Sequence, residues 1–185
     1  APITGITATY SPHTITTAGG EALAVFHASV GAAADSVFLG KLKPDGTTSL
    51  TSVVTITGGG LTAGLHPSIV ELPSGRLLCY YYNEDLTTKT LQIAVKFSDD
   101  TGSTWSLLSD TVLDTAINID PAVAAGFNAN TWPARGLRVA YGGGQLLMMV
   151  GLRSNLLTSW QDYFHQYASD DGGANFALVE DWGST

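Results

Sequence analysis

Cysteine is nearly absent from this sequence. Cys79 stands alone, so no intrachain disulfide and no paired-cysteine metal motif exists. It sits in the apolar run Leu77-Leu78-Cys79-Tyr80, where a buried, inert thiol is expected. Charge is also scarce. Only 13% of the 185 residues are charged, and 16 Asp and Glu face eight Lys and Arg, a formal net charge of -8. That balance excludes a broad basic face for nucleic-acid phosphates and disfavours anionic membranes. No apolar run approaches the roughly 18 residues of a membrane-spanning helix, so no span is expected. The start, Ala1-Pro2-Ile3-Thr4-Gly5, lacks the basic-then-apolar pattern of a signal peptide. Glu- and Lys-rich helical stretches are missing as well.

What is present is 44% hydrophobic residues, 21 glycines and recurrent Thr and Ser. This composition suits many short strands joined by tight turns. Three segments share one order: residues 14–26, 68–80 and 137–149 each read strand, glycine-containing turn, more apolar strand. Glycine permits the positive φ values such turns need. A third strand follows each pair, at residues 36–42, 91–97 and 162–168. Then come a turn and a fourth strand, at residues 49–57, 106–113 and 177–182.

The second strand of each unit is apolar on both faces, as a sheet stacked between other sheets requires. A lone sheet with one wet face would alternate. The expected fold is therefore all-β, a β-propeller segment of three four-stranded antiparallel blades at about residues 13–57, 66–113 and 135–182. A long inter-blade loop is expected over 114–134. A two-layer sandwich has similar strand spacing but does not demand a four-strand repeat.

The turn between third and fourth strands of the second unit reads Ser98-Asp99-Asp100-Thr101-Gly102-Ser103-Thr104-Trp105. It matches the Asp box, Ser-x-Asp-x-Gly-x-Thr-Trp, at every specified position. The third unit has Ser169-Asp170-Asp171-Gly172-Gly173-Ala174-Asn175-Phe176, with Asn175 in the place of Thr. The first unit keeps only Asp45-Gly46. The expected role is structural. Asp100 and Asp171 accept backbone N–H bonds, Gly102 and Gly173 take conformations closed to side chains, and Trp105 and Phe176 anchor the hairpin between sheets. The series is too short for an EF-hand and lacks its closing Glu, so no metal and no cofactor is expected.

On these motifs the chain resembles the sialidase-like Asp-box (BNR-repeat) β-propeller superfamily, well over residues 66–182 and by pattern over 13–57. The resemblance implies a six-bladed ring, of which three blades are half. Further blades are then expected from a longer polypeptide or from homo-oligomerisation. It also implies a substrate end opposite the Asp boxes. That end collects the weak candidate ligand residues Glu84, Asp85, Arg153 and Trp160, with His66, Asp120, Trp132 and Arg135. Polar groups beside aromatic platforms suit a glycan.

Family sialidases use three arginines, a Tyr–Glu pair and an Asp acid/base. This chain has four arginines, Arg76, Arg135, Arg138 and Arg153, and no Arg-Ile-Pro signature. Arg76 falls on the Asp-box end, and Arg138 within a strand. Tyr80, Tyr81 and Tyr82 are expected to pack between blades. No catalytic set transfers residue by residue. The composition resembles that of phage tail and fibre proteins. The expectation is thus a non-catalytic module of an extracellular or virion surface protein, used in adhesion, glycan binding or assembly. A part of a sialidase-like glycoside hydrolase is the alternative.

Overall fold

The structure, a computed structural model, describes residues 6–30, 34–55, 61–85, 90–114, 117–118, 134–156 and 159–182. They form three antiparallel sheets. The first is β1 (Ile6–Thr16), β2 (Ala22–Val30), β3 (Ala34–Leu42) and β4 (Thr48–Thr55), in that order. The second is β5 (Leu61–Glu71), β6 (Leu77–Asp85), β7 (Thr90–Ser98) and β8 (Ser106–Ser109), with the two-residue β9 (Ile117–Asn118) also on β7. The third is β10 (Ala134–Gly142), β11 (Gln145–Leu156), β12 (Ser159–Ser169) and β13 (Ala177–Trp182).

The fourth strand of the second sheet departs from the continuous run expected over 106–113. It stops at Ser109 and resumes as β9, inside the interval 114–134 expected to be loop. The Gln92 side chain explains how the edge survives the break. Its amide accepts from Leu113 N at 3.0 Å and donates to Leu113 O at 3.1 Å, replacing a backbone rung. Val112 N also bonds Ile93 O at 2.9 Å. Buried peptide groups left unpaired would each cost about 1–3 kcal/mol, so the side-chain rung holds the edge together. Residues 115–116 and 119–133 of that interval lie outside the described residues.

Period-two alternation decides which sheet meets which. Leu77, Cys79 and Tyr81 of β6 pack with Leu23, Val25, Val37 and Leu39 of the first sheet. Leu78, Tyr80 and Tyr82 point the other way and pack with Leu146, Met148, Val150 and Tyr167 of the third. The second sheet is thus buried on both faces. Each large side chain so buried contributes about 1.5–3 kcal/mol. Cys79 is fully buried, and desolvation pushes its thiol up to about 12, which makes it unreactive.

The first strands gather at one edge of the stack, with β5 alongside β1 and β10. Ser68 of β5, fully buried, ties all three. Its Oγ lies 3.1 Å from His13 Nδ1 of β1 and accepts from Val139 N of β10 at 3.0 Å. His13 Nδ1 also accepts from Ile69 N at 3.0 Å, so this nitrogen carries no proton. Burial, and then the charge of Arg138, hold the His13 pKa below its usual value.

Candidate functional site

Among the described residues the two Asp-box turns are the most fully bonded polar constructions. Asp100 Oδ1 accepts from Ser98 Oγ, Ser103 N and Thr104 N at 2.7, 3.0 and 2.8 Å, and Oδ2 accepts from Thr104 Oγ1 at 2.7 Å. Ser98 Oγ accepts from Gly102 N at 2.7 Å. In the third sheet Asp171 Oδ1 accepts from Ser169 Oγ, Ala174 N and Asn175 N at 2.8, 3.1 and 3.2 Å. Asn175 Nδ2 donates to Asp171 Oδ2 at 2.7 Å, taking over the work of Thr104. Bonds from Thr104 and Ser98 hold the Asp100 carboxyl well below the usual carboxylate range. Burial pulls Asp171 upward, but bonds from Asn175, Ser169 and Gly173 outweigh it, and its pKa is also lowered.

Both turns lock onto the preceding sheet. Gly102 has φ +84°, and a β-carbon there would overlap Leu39 Cδ2 of β3. The buried Lys41 ammonium of β3 donates to Thr101 O and, at 3.3 Å, to Thr101 Oγ1. Gly173 has φ +91°, and a β-carbon there would overlap the Tyr80 hydroxyl and lie 2.7 Å from Leu146 Cδ1. Tyr80 Oη donates to Gly173 O at 3.1 Å, and its ring meets Phe176 edge-on at 5.7 Å. Phe176 also exchanges backbone bonds across the gap, Phe176 N to Val112 O at 2.7 Å and Asp114 N to Phe176 O at 2.9 Å.

Arg76 lies on this same end. It clamps Asp99 with two bonds, Nε to Oδ1 at 2.7 Å and Nη2 to Oδ2 at 2.9 Å, and its guanidinium stacks 4.5 Å over Phe97. An open groove beside it is lined by Leu72, Ser74, Arg76, Asp99, Asp171 and Gly172. Arg76 and Asp99 satisfy each other there, and Asp171 is bonded within its own turn.

The strand register carries four of the candidate ligand residues to the opposite end. β7 runs from Thr90 at that end to Ser98 at the box. The register pairs Glu84 with Leu91 and Asp85 with Thr90, and pairs Arg153 with Asp162 and Asn155 with Trp160. Glu84 and Asp85 on β6, and Arg153 and Trp160 at the junction of β11 and β12, thus share the end away from the boxes. Arg135 falls at an irregularity early in β10. The side chains of Glu84, Asp85, Arg135, Arg153 and Trp160 lie outside the described part of the structure, as do Asp120 and Trp132 altogether. His66 is described. It adopts φ 49°, uncommon for a residue with a side chain, and meets the Tyr82 ring edge-on at 6.1 Å.

Tyr82 and Tyr80 are packing residues. Tyr82 Oη donates to Gly136 O at 2.7 Å and approaches Gly151 O at 3.3 Å, bridging to the third sheet. Burial pushes the Tyr81 phenol up to about 12 and Tyr80 higher still. Sequence reasoning did not single out Gln92, Ser68 or Lys41. Their signal was weak, a polar residue inside an apolar strand. Among the described residues no group of three His, Cys, Asp or Glu side chains is placed to hold a metal. No helix there is long and apolar enough to cross a membrane.

No family model and no curated protein sequence matches the chain. Solved structures do. A Hadza microbial sialidase, Hz136, superimposes with a TM-score of 0.66 at 14% identity, over 96% of this chain and 38% of its own. The GH93 α-L-arabinofuranosidase of Fusarium graminearum, in complex with arabinobiose, gives 0.60 at 13%, over 100% and 51%. An endo-1,4-β-xylanase from Bacteroides thetaiotaomicron gives 0.61 at 12%, over 93% and 58%. Identities this low carry the fold alone. Nearly all of this chain matches, yet it spans only 38% to 58% of those proteins.

Proposed function

We propose that this chain is a segment of an Asp-box propeller that binds glycans without turning them over, in an extracellular or virion surface protein. The arginines carry this reading. A sialidase-like carboxylate clamp needs three at one end. Arg76 is committed to Asp99 on the box end, and Arg138 lies within β10 with Nη1 on Leu137 O. Only Arg135 and Arg153 remain of the chain's four. The buried, raised phenols of Tyr80 and Tyr81 support the same conclusion, because a nucleophilic tyrosine needs access and an adjacent base. On this reading the remaining blades come from a longer polypeptide or from further copies of the chain.

A second reading, part of a glycoside hydrolase, is favoured by the likeness to a sialidase, an arabinofuranosidase and a xylanase. Glycan-array binding and hydrolysis of fluorogenic sialosides, arabinofuranosides and xylosides, run on the protein that carries this chain, separate the two. The expected result is binding without turnover, weakened about tenfold by Arg153→Ala or Trp160→Ala. Turnover that disappears in Arg135→Ala and Arg153→Ala would select the hydrolase.

A further inference from the structure

A neutral imidazole has one nitrogen that accepts and one that donates, whereas an imidazolium has two donors. His13 uses its accepting nitrogen where the first strands of three sheets meet. Nδ1 accepts from Ile69 N at 3.0 Å and lies 3.1 Å from Ser68 Oγ. Val139 N donates to that same oxygen at 3.0 Å, so the Ser68 hydroxyl proton is directed at Nδ1. The imidazole thus joins β1 to β5, and the hydroxyl joins β5 to β10. One proton on Nδ1 reverses the first joint and spares the second. Ile69 N–H would then face another N–H. The Ser68 oxygen could still accept, from the ring and from Val139 N together, but its own proton would lose its acceptor. Ser68 and Ile69 are fully buried, so water does not replace the lost partner. Two buried donors without acceptors make the protonated ring unstable in this place.

The surroundings act in the same direction. Among the described residues, the charged and titratable side chains on the strands around His13 are Arg138 and Tyr141 on β10, His66 and Glu71 on β5, His27 on β2 and Lys41 on β3. Arg138 is the one whose charge reaches the ring, and it opposes a second cation. Other bonds between the first and second sheets use lysine and glutamate. Lys41 donates to Thr101 O, Lys96 to Val53 O at 2.9 Å, and Ala18 N to Glu71 Oε2 at 2.8 Å. His13 brings to that joint the side-chain type whose charge changes between about pH 5 and pH 8. The second and third sheets are held instead by the hydroxyls of Tyr80, Tyr82 and Ser68.

We propose that His13 is an acid-released latch: as the pH falls below about 6, Nδ1 takes a proton and β1 parts from β5, while the third sheet stays docked on the second. The neutral ring is the form that fits the fold. Its stabilisation is complete above the unfolded histidine value of about 6.5 and is lost as the pH falls through the lower folded value. The Asp boxes lose theirs only where carboxyls protonate, at lower pH, so the two acid responses separate. The latch is independent of what the far end of the sheets binds.

Hydrogen exchange read by mass spectrometry, on the protein that carries this chain, tests the latch between about pH 7.5 and about pH 5 once intrinsic rates are corrected for. Protection of β1 and of the Ile69 amide is expected to fall about tenfold or more at the lower pH, while that of β11 holds. His13→Asn keeps an acceptor oxygen near the place of Nδ1 and cannot take the proton, so its protection should be equal at both ends of the range. Arg138→Glu replaces a repelling charge with an attracting one and should move the loss to higher pH. A merely structural role for His13 predicts no such move. Should His13→Asn fail to fold, the unsubstituted protein and Arg138→Glu decide. Four results overturn the proposal: unchanged protection of β1 at about pH 5, a loss shared equally by β11, the same loss in a folded His13→Asn, or a midpoint that Arg138→Glu leaves in place.

Discussion

The two Asp boxes do the same local chemistry and are held by their surroundings in different ways. Around Asp100 and Asp171 the bonds nearly superimpose, with Asn175 Nδ2 and Thr104 Oγ1 each 2.7 Å from an aspartate oxygen. Their supports differ. Gly102 presses on the tip of Leu39, a flexible side chain, and Thr101 beside it holds φ 55° while its carbonyl takes the Lys41 ammonium. Gly173 presses on Tyr80, whose hydroxyl and ring are both engaged, and Phe176 is bonded through its backbone to Val112 and Asp114. The Trp105 indole N–H, by contrast, has no partner among the described residues. The complete motif thus sits in the more forgiving socket, and the degenerate one in the more rigid. Motif completeness does not measure how firmly a turn is held.

Gly173→Ala tests this most severely. It meets Tyr80, Leu146 and a positive φ together, and a loss of about 3 kcal/mol or more is expected, roughly a 10 °C fall in Tm by calorimetry. Gly102→Ala carries the same backbone strain, but Leu39 can turn away, so about 2 kcal/mol is expected. Equal losses at the two glycines would remove the distinction between the sockets. Tyr80→Phe deletes the hydroxyl bond and leaves Gly173 O unpaired, for about 1–2 kcal/mol by urea unfolding.

Acid should weaken both boxes. Each carboxyl titrates below its unfolded value of about 3.9, so its stabilisation is complete above that pH and is lost as pH falls through the depressed folded value. Urea midpoints measured from about pH 5 to pH 2 should therefore fall. Asp100→Asn should flatten the slope more than Asp171→Asn, whose burial opposes its bonds. The smallest effect is expected for Asn175→Thr, within about 0.5 kcal/mol, because Asn175 already makes the bond that Thr104 makes. A large gain there would mean that the degenerate box is a defect.

Much of the fold was legible along the chain. The order strand, turn, strand, strand, box, strand repeats, and the boxes mark the same joint in two sheets. Leu77 through Tyr82 read as apolar on both faces, and they are buried on both. The same apolar run in β11 gave no warning that Leu147 and Met149 stay exposed, because a buried and an unpartnered face have one composition. The break in the fourth strand of the second sheet escaped notice for a related reason. Gln92 looks like any polar strand residue until Leu113 is brought beside it. The candidate ligand residues were legible only as a shared end: register places Glu84, Asp85, Arg153 and Trp160 away from the boxes, and no local pattern says what they hold.

The sequence by itself determined the all-β class, the four-strand repeat and the turn chemistry of both boxes. These depend on neighbours a few residues apart, whose contacts are set by backbone geometry. Only the tertiary structure decided that Ser68 ties three strands together, that Gly173 must stay bare beneath Tyr80, and that Leu147 and Met149 of the third sheet are exposed. Those facts join residues tens of positions apart, and their energies exist only once the sheets are stacked.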